Sequence, residues 1–235
     1  MLGDPLARVR AWVTEWAHSR GAPVSVPLLC QTAVPRLGVS GVALVVETAG
    51  GWLETRYSTD VLGSRLAELQ VTVGAGPCAD AGRTGGPVLV SDLDTPAVQR
   101  RWPLFAPPAV EAGALALFAF PLRVGSIRGG TLTLHRTKAG PLDQAALTDS
   151  LAFGRLALVL LLDEQAGLRA TDGLPLHDPV VHQATGMVAA QLDVGMAEAF
   201  ATLRGRAFAA QRPLGDLAAD VVARGVRFDP TQETI

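Results

Sequence analysis

Apolar residues recur along this chain with two different periods, and the change of period divides it. From Asp4-Pro5, the residues Leu6, Val9, Val13 and Trp16 fall on one side of a helix ending near Gly21, with Trp12 widening the stripe. A second helix is expected over 26–37, interrupted by Pro35. After Gly38 the texture becomes that of strands. Residues 40–48 (SGVALVVET) are β-rich and apolar, Gly50-Gly51 supplies a hairpin turn, and 52–58 (WLETRYS) alternates as a half-buried partner.

A short helix is expected over 64–70, a loop at 74–77, a turn of helix at 78–82 and a short strand at 87–90. Residues 95–110 are helical in part, made irregular by Pro103, Pro107 and Pro108. Two further strands, 115–123 and 129–135, are joined by Gly125-Ser126. The pattern is α+β: an antiparallel sheet with helices collected on one side.

The helical period returns at Asp143 and runs to about Leu168. Leu147, Leu151, Leu158, Leu161, Leu162, Gln165 and Leu168 form a stripe that suits a parallel two-helix contact or a cover for the sheet, although Gly154 and Arg155 interrupt a heptad seam. Residues 170–178 (ATDGLPLHD) are a linker, because Gly173, Pro175 and Pro179 prevent one continuous helix.

Three short helices close the chain. The first begins with Asp178 as cap and Pro179 at the first position, and repeats Val180, Val181, Ala184, Met187, Val188 and Leu192. The second covers 196–211 with a stripe of Ala199, Phe200, Leu203, Ala207 and Phe208. The third starts at Pro213, buries Leu214, Leu217, Ala218, Val221 and Val222, and is expected to stop at Gly225 in a left-handed cap. Helices this short are marginal alone and must pack on one another.

Composition narrows the function classes. With 49% hydrophobic and 18% charged residues, global disorder is excluded. A formal net charge of −2 gives no general attraction to nucleic acid or acidic membranes, so any nucleic-acid site must be local. Such a site is visible between Ala199 and Gly215, where Arg204, Arg206 and Arg212 occur with Gln211 and no acidic residue. Arg204 and Gln211 are two helical turns apart and can line one face; guanidinium forks and an amide suit phosphates and unpaired base edges. Ordinary solvated arginines are the competing reading.

Cys30 and Cys78 make neither a disulfide framework nor a metal cluster, in keeping with a reducing compartment. Cys78 reads as a buried structural thiol, with a thiol sensor activated by a helix N-terminus as the alternative. His18, His135, His177 and His182 lack metal-ligand spacing, and no phosphate-binding glycine loop with its lysine is present. The start MLGDPLARVR lacks a signal-peptide apolar region. The apolar run 156–162 is shorter than the roughly 20 residues a bilayer requires. A cytoplasmic protein without membrane contact is expected.

Two resemblances sharpen the picture. Gln183-Ala184-x-Gly186-Met187, then Glu198-Ala199-Phe200-x-x-Leu203-Arg204-x-x-Ala207, then Arg212-x-Leu214-x-x-Leu217-Ala218, resembles the ANTAR domain. That family is a three-helix RNA-binding module that binds paired hairpin loops and promotes transcription antitermination. Members typically carry a lysine where this chain has Thr185, which removes one expected phosphate contact. Upstream, Gly76-Pro77-Cys78-x-x-Ala81, Arg83-Thr84-Gly85, Val88-x-Val90-x-Asp92-Leu93, Arg101-Trp102-Pro103, Pro121-Leu122 and Gly129-Gly130 resemble the GAF domain preceding ANTAR modules in actinobacterial regulators. GAF domains are sensory or dimerising units, many with a small-molecule pocket beside the sheet. The signature of cyclic-nucleotide-binding GAF domains is not visible here.

The resemblance implies an N-terminal helix (1–25), a GAF-like sensory or dimerisation domain (26–162), a linker (163–178), an ANTAR-like RNA-binding domain (179–228) and a tail (229–235). It implies a non-enzymatic homodimer binding leader RNA hairpins, with a small-molecule effector in the GAF-like domain, and no certain cofactor or metal. Arg204 and Arg212 are the expected phosphate or base contacts, with Arg206 peripheral. Gln183, Thr185 and Gln211 are candidates for loop-base hydrogen bonds, and Ala207 for close backbone approach. The alternative is a ligand-binding, dimerising signalling protein with weakened RNA binding. An enzyme would require a catalytic constellation hidden in the sheet domain.

Overall fold

A computed structural model describes residues 4–47, 53–124, 127–165 and 179–229. The first helix, α1 (Pro5–Ser19), starts as expected: Asp4 accepts a hydrogen bond from the Leu6 N–H, and Pro5 needs no donor there. Helix α2 (Val26–Leu37) is not interrupted at Pro35. The ring lies in the last turn, where one missing donor does not end the helix.

The sheet contains β1 (Gly41–Glu47), β2 (Leu53–Ser58), β3 (Val88–Val90), β4 (Ala116–Val124) and β5 (Ile127–Arg136) in the order β2-β1-β5-β4-β3, with every neighbouring pair antiparallel. The expected glycine turns at Gly50-Gly51 and Gly125-Ser126 lie outside the described residues. Gly130 is required where β5 crosses β1. Its φ is +126°, and a Cβ there would stand 2.0 Å from the Val45 carbonyl oxygen.

Helices cover both faces of the sheet, which corrects the expectation of a single helical layer. Val42 and Leu44 of β1 join Phe118, Phe120, Leu132 and Leu134 in a core shared with α1, α2 and α7 (Gln144–Gln165). Ala43 and Val45 face the other way, towards α3 (Val61–Val73) and α4 (Pro77–Thr84). Leu117 and Ala119 on that same face pack with Trp102 and Phe105, near α5 (Pro96–Arg101) and α6 (Ala106–Glu111). Burial on both faces explains why the first strand reads as an unbroken apolar run.

Helix α7 is long and apolar enough to cross a membrane by length and composition, yet 56% of its apolar window is buried inside the protein. Phe153, Leu156, Leu158 and Leu161 are buried in the core shared with the sheet, α1 and α2, whereas Leu151, Val159 and Leu162 are exposed. The stripe read from the sequence thus divides between two faces, and Leu168 lies outside the described residues. The end of α7 is tied to the sheet edge by Arg56 and Glu164, whose side chains are 6% and 8% exposed and 3.2 Å apart.

Three helices follow: α8 (Pro179–Leu192), α9 (Met196–Ala209) and α10 (Leu214–Val222). Ala184, Val188, Ala199, Phe200, Leu203, Ala207, Leu214, Leu217, Ala218 and Val221 form their common core, and Val71 of α3 joins it. The bundle is therefore docked on the sheet domain through α3. The capping residue Asp178 and most of the expected linker, from residue 166 onwards, lie outside the described residues.

Candidate nucleic-acid interface

Each bundle helix ends on a left-handed residue that is not glycine: Asp193 (φ 55°), Gln211 (φ 50°) and Arg224 (φ 61°). The following N–H then reaches back five residues in every case, Val194 to Ala189, Arg212 to Ala207 and Gly225 to Asp220. This repeated closure sets the exits of all three helices. It places the left-handed turn at Arg224 rather than at Gly225, and puts Gln211 beyond α9, so the two-turn spacing from Arg204 to Gln211 does not hold.

The three central arginines occupy three settings. Arg204 is half-buried, with its guanidinium 6.0 Å from the Phe200 ring centroid and against Gly74 at the end of α3; burial lowers its pKa. No carboxylate among the described residues pairs with it. Arg206 points elsewhere, since two residues along a helix is about 200° around it. Its Nη1 donates to the Arg227 carbonyl at 2.9 Å, and its guanidinium lies 4.7 Å from the Phe228 ring centroid. Arg212 pairs with Asp220 at 2.8 Å, both side chains being 40% or more exposed. Water screens such a pair, which leaves the guanidinium exchangeable towards a phosphate.

Gln183 and Gln211 are exposed. Thr185 and Ala207 are not surface residues, which removes both from direct contact. Thr185 is fully buried and its hydroxyl donates to the Val181 carbonyl at 2.7 Å; Ala207 is a core residue. A hydroxyl one turn from a carbonyl on its own helix satisfies itself, so the position is structural.

Residues 176–222 match the model of the ANTAR domain. The part before it resembles solved GAF domains. One, from a phosphoenolpyruvate-protein phosphotransferase of Coxiella burnetii, is 13% identical and superposes over 71% of this chain and 100% of its own, with a TM-score of 0.51. Another, from the corresponding Acinetobacter protein, is 12% identical over 73% of this chain and 100% of its own, with a TM-score of 0.54. At that identity the likeness establishes the fold. The chain has a GAF–ANTAR architecture. No curated protein matches it. An ANTAR domain marks RNA-binding antitermination regulators.

The ANTAR bundle also carries basic residues that the sequence reading passed over. Arg224 and Arg227 line an open cavity of about 590 Å3 with Met187, Gln191, Phe228 and Asp229. Arg206 adjoins it through its bond to Arg227, and Gln191 holds the Phe228 N–H at 2.8 Å. The sequence reading stopped at Gly215, the end of the stretch without acidic residues, and so did not reach Arg224 and Arg227. The GAF-fold domain offers no metal site: no group of three His, Cys, Asp or Glu residues is arranged for one among the described residues. Its two cysteines are buried. Burial pushes Cys30 up to about 12 and raises Cys78, whose Sγ lies 3.6 Å from the Thr133 hydroxyl.

Proposed function

We propose that the chain is an RNA-binding antitermination regulator whose ANTAR bundle holds hairpin loops of a leader transcript under control of the GAF-fold domain. The observation that carries this reading is the match of 176–222 to the ANTAR domain on a three-helix bundle with a common core. The work required is a bias between two RNA structures: whichever fold the protein binds more tightly is populated at the expense of the terminator. No covalent step is needed.

Arg204, Arg206 and Arg212 supply the positive charge, joined by Arg224 and Arg227, while exposed Gln183 and Gln211 supply amides for unpaired bases. In the docked arrangement Arg204 is held at α3. Docking therefore withholds one contact, and the GAF-fold domain regulates RNA affinity by holding or releasing the bundle. The reading comprises a sensory domain over 26–162, a linker over 163–178, an ANTAR domain over 179–228, and action as a cytoplasmic homodimer. The exposed Leu151, Val159 and Leu162 of α7 support the dimer.

The test is a titration of the full chain with a two-hairpin leader RNA and with its scrambled form, at several salt concentrations. Specific binding that weakens as salt rises supports the reading. Equal, feeble binding to both RNAs favours the signalling alternative, for which the burial of Thr185 and the Arg212–Asp220 pair are the supporting observations.

A further inference from the structure

The open cavity of about 590 Å3 at the exit of α10 is built by the bundle alone, from α8 and the segment after α10. No residue of the sheet domain lines it among the described residues, so docking on α3 leaves it open. Arg224, Arg227, Phe228 and Asp229 lie beyond 176–222 and are therefore outside the stretch matched to the ANTAR domain. Met187 and Phe228 give the cavity an apolar side. Arg224 and Arg227 are exposed, and neither guanidinium is in an ion pair among the described residues. Arg206 brings a third guanidinium to the edge, held by the Arg227 carbonyl and the Phe228 ring. Asp229 is the one lining carboxylate among the described residues, and it has an interaction of its own. Two lining guanidiniums keep the walls net positive whatever its partner is. Gln191 is oriented as well: its oxygen accepts the Phe228 N–H at 2.8 Å, which leaves the Nε2 hydrogens to donate.

We propose that this cavity receives one unpaired nucleotide of the bound RNA, with its flanking phosphates on Arg224 and Arg227 and its base against Met187 and Phe228. The proposal rests on the RNA-binding reading above and names a contact that the reading leaves open. Guanidinium forks match phosphate oxygens, and the apolar side removes a base face from water. A base-paired duplex keeps its base faces stacked inside and cannot offer one. The free Nε2 hydrogens of Gln191 then meet an acceptor on the base, such as a carbonyl oxygen. Gln183, Met187 and Gln191 follow one another at intervals of four along α8, so exposed Gln183 extends the same ridge. The RNA surface therefore runs along α8 to the exit of α10, and its occupation does not require the bundle to leave α3. Arg204 is the contact that docking withholds; this one is available from the start.

The test follows the Met187 methyl resonance, one of three methionine signals, in the full chain. The probes are single-stranded octamers of uridylate and of adenylate, a blunt RNA duplex with as many phosphates, and the free nucleotides UMP and AMP. The octamers are expected to shift Met187 saturably at low salt, and the duplex to bind this site about ten-fold more weakly or worse. UMP and AMP, with fewer phosphates to place, are expected to be weaker than the octamers by about ten-fold or more. Arg224→Gln combined with Arg227→Gln alters two exposed side chains and should leave the amide spectrum of the bundle core in place. It is expected to weaken the octamers about ten-fold and to make the salt slope shallower by about one to two, whereas the corresponding double lysine variant keeps the slope. A Met187 signal that stays still at saturating octamer overturns the site, as does unchanged octamer affinity in the glutamine variant. Duplex binding as tight as the octamers overturns the unpaired nucleotide. UMP or AMP binding as tight as the octamers assigns the cavity to a free nucleotide and overturns its role as an RNA contact. The octamers carry no hairpin, so specific recognition of the two-hairpin leader RNA with a silent Met187 sinks this proposal and leaves the RNA-binding reading standing.

Discussion

The Nη2 atom of Arg204 lies 2.5 Å from the point where a Cβ on Gly74 would stand. Gly74 ends α3 with φ +65°, so the residue is needed twice, once for the left-handed turn and once for the space. The guanidinium thereby sits at the helix end where unpaired carbonyls gather negative partial charge. Arg204 is at once part of the expected RNA surface and a clasp between the domains.

Gly74→Ala should loosen that clasp. The methyl group strains the turn by about 1–2 kcal/mol and displaces the guanidinium. Amide exchange in α3 and α9 is expected to accelerate together, and affinity for the leader RNA to rise several-fold as Arg204 is freed. Unchanged exchange in α9 with unchanged RNA binding refutes the clasp.

The left-handed residues ending the bundle helices predict a gain in stability. Gln211 is exposed with φ 50°, and glycine adopts that conformation without a Cβ penalty. Gln211→Gly should stabilise the bundle by about 0.5–1 kcal/mol, measured by urea denaturation. Gly225→Ala should cost far less than a substitution at a left-handed glycine, because the turn belongs to Arg224.

His135 makes stability depend on pH. It is 1% exposed, and its Nε2 stands 3.3 Å from Asp60 Oδ2 but off the hydrogen-bonding direction. Burial lowers its pKa below the ordinary 6.5, and the Asp60 charge only partly offsets this. The unfolded chain thus takes up this proton before the folded chain does. The stabilising effect of a neutral His135 is complete above about pH 6.5 and is lost as pH falls from there through the folded pKa. His135→Gln should flatten the slope of unfolding free energy between pH 7 and 5; an unaltered slope assigns the effect to another group.

Both cysteines should be silent in the native protein. The thiolate is the reactive form, and burial raises the pKa of Cys30 and Cys78 alike. Iodoacetamide at pH 8 is expected to label neither until urea opens the chain, and then both with similar rates. Rapid native labelling of Cys78 points instead to a thiol sensor.

The α+β class and every described strand were legible because the hydrophobic period changes at Gly38 and again near Asp143. Helix ends were less so. Pro35 reads as a break but falls in a last turn, and Gly225 reads as a cap although Arg224 takes the left-handed conformation. The second helical layer had a signal that the single-layer reading did not use: the unbroken apolar run of β1 marks a strand buried on both faces. Among the site residues, spacing grouped Arg204 with Gln211, whereas tertiary packing turned Arg204 towards α3 and placed Gln211 outside the helix. Thr185 was misplaced for a related reason: sequence does not reveal that its hydroxyl is satisfied by Val181 inside the bundle.

The most direct test of RNA recognition by the ANTAR bundle is the affinity of full-length wild type and Arg204→Ala for a two-hairpin leader RNA, each measured at several salt concentrations. The account predicts specific binding by the wild type, a fall in affinity with rising salt, and a loss of roughly ten-fold or more in the variant with a shallower salt slope. Wild-type binding that is equally weak for the scrambled RNA, or an Arg204→Ala variant that binds with unchanged affinity and slope, would contradict it.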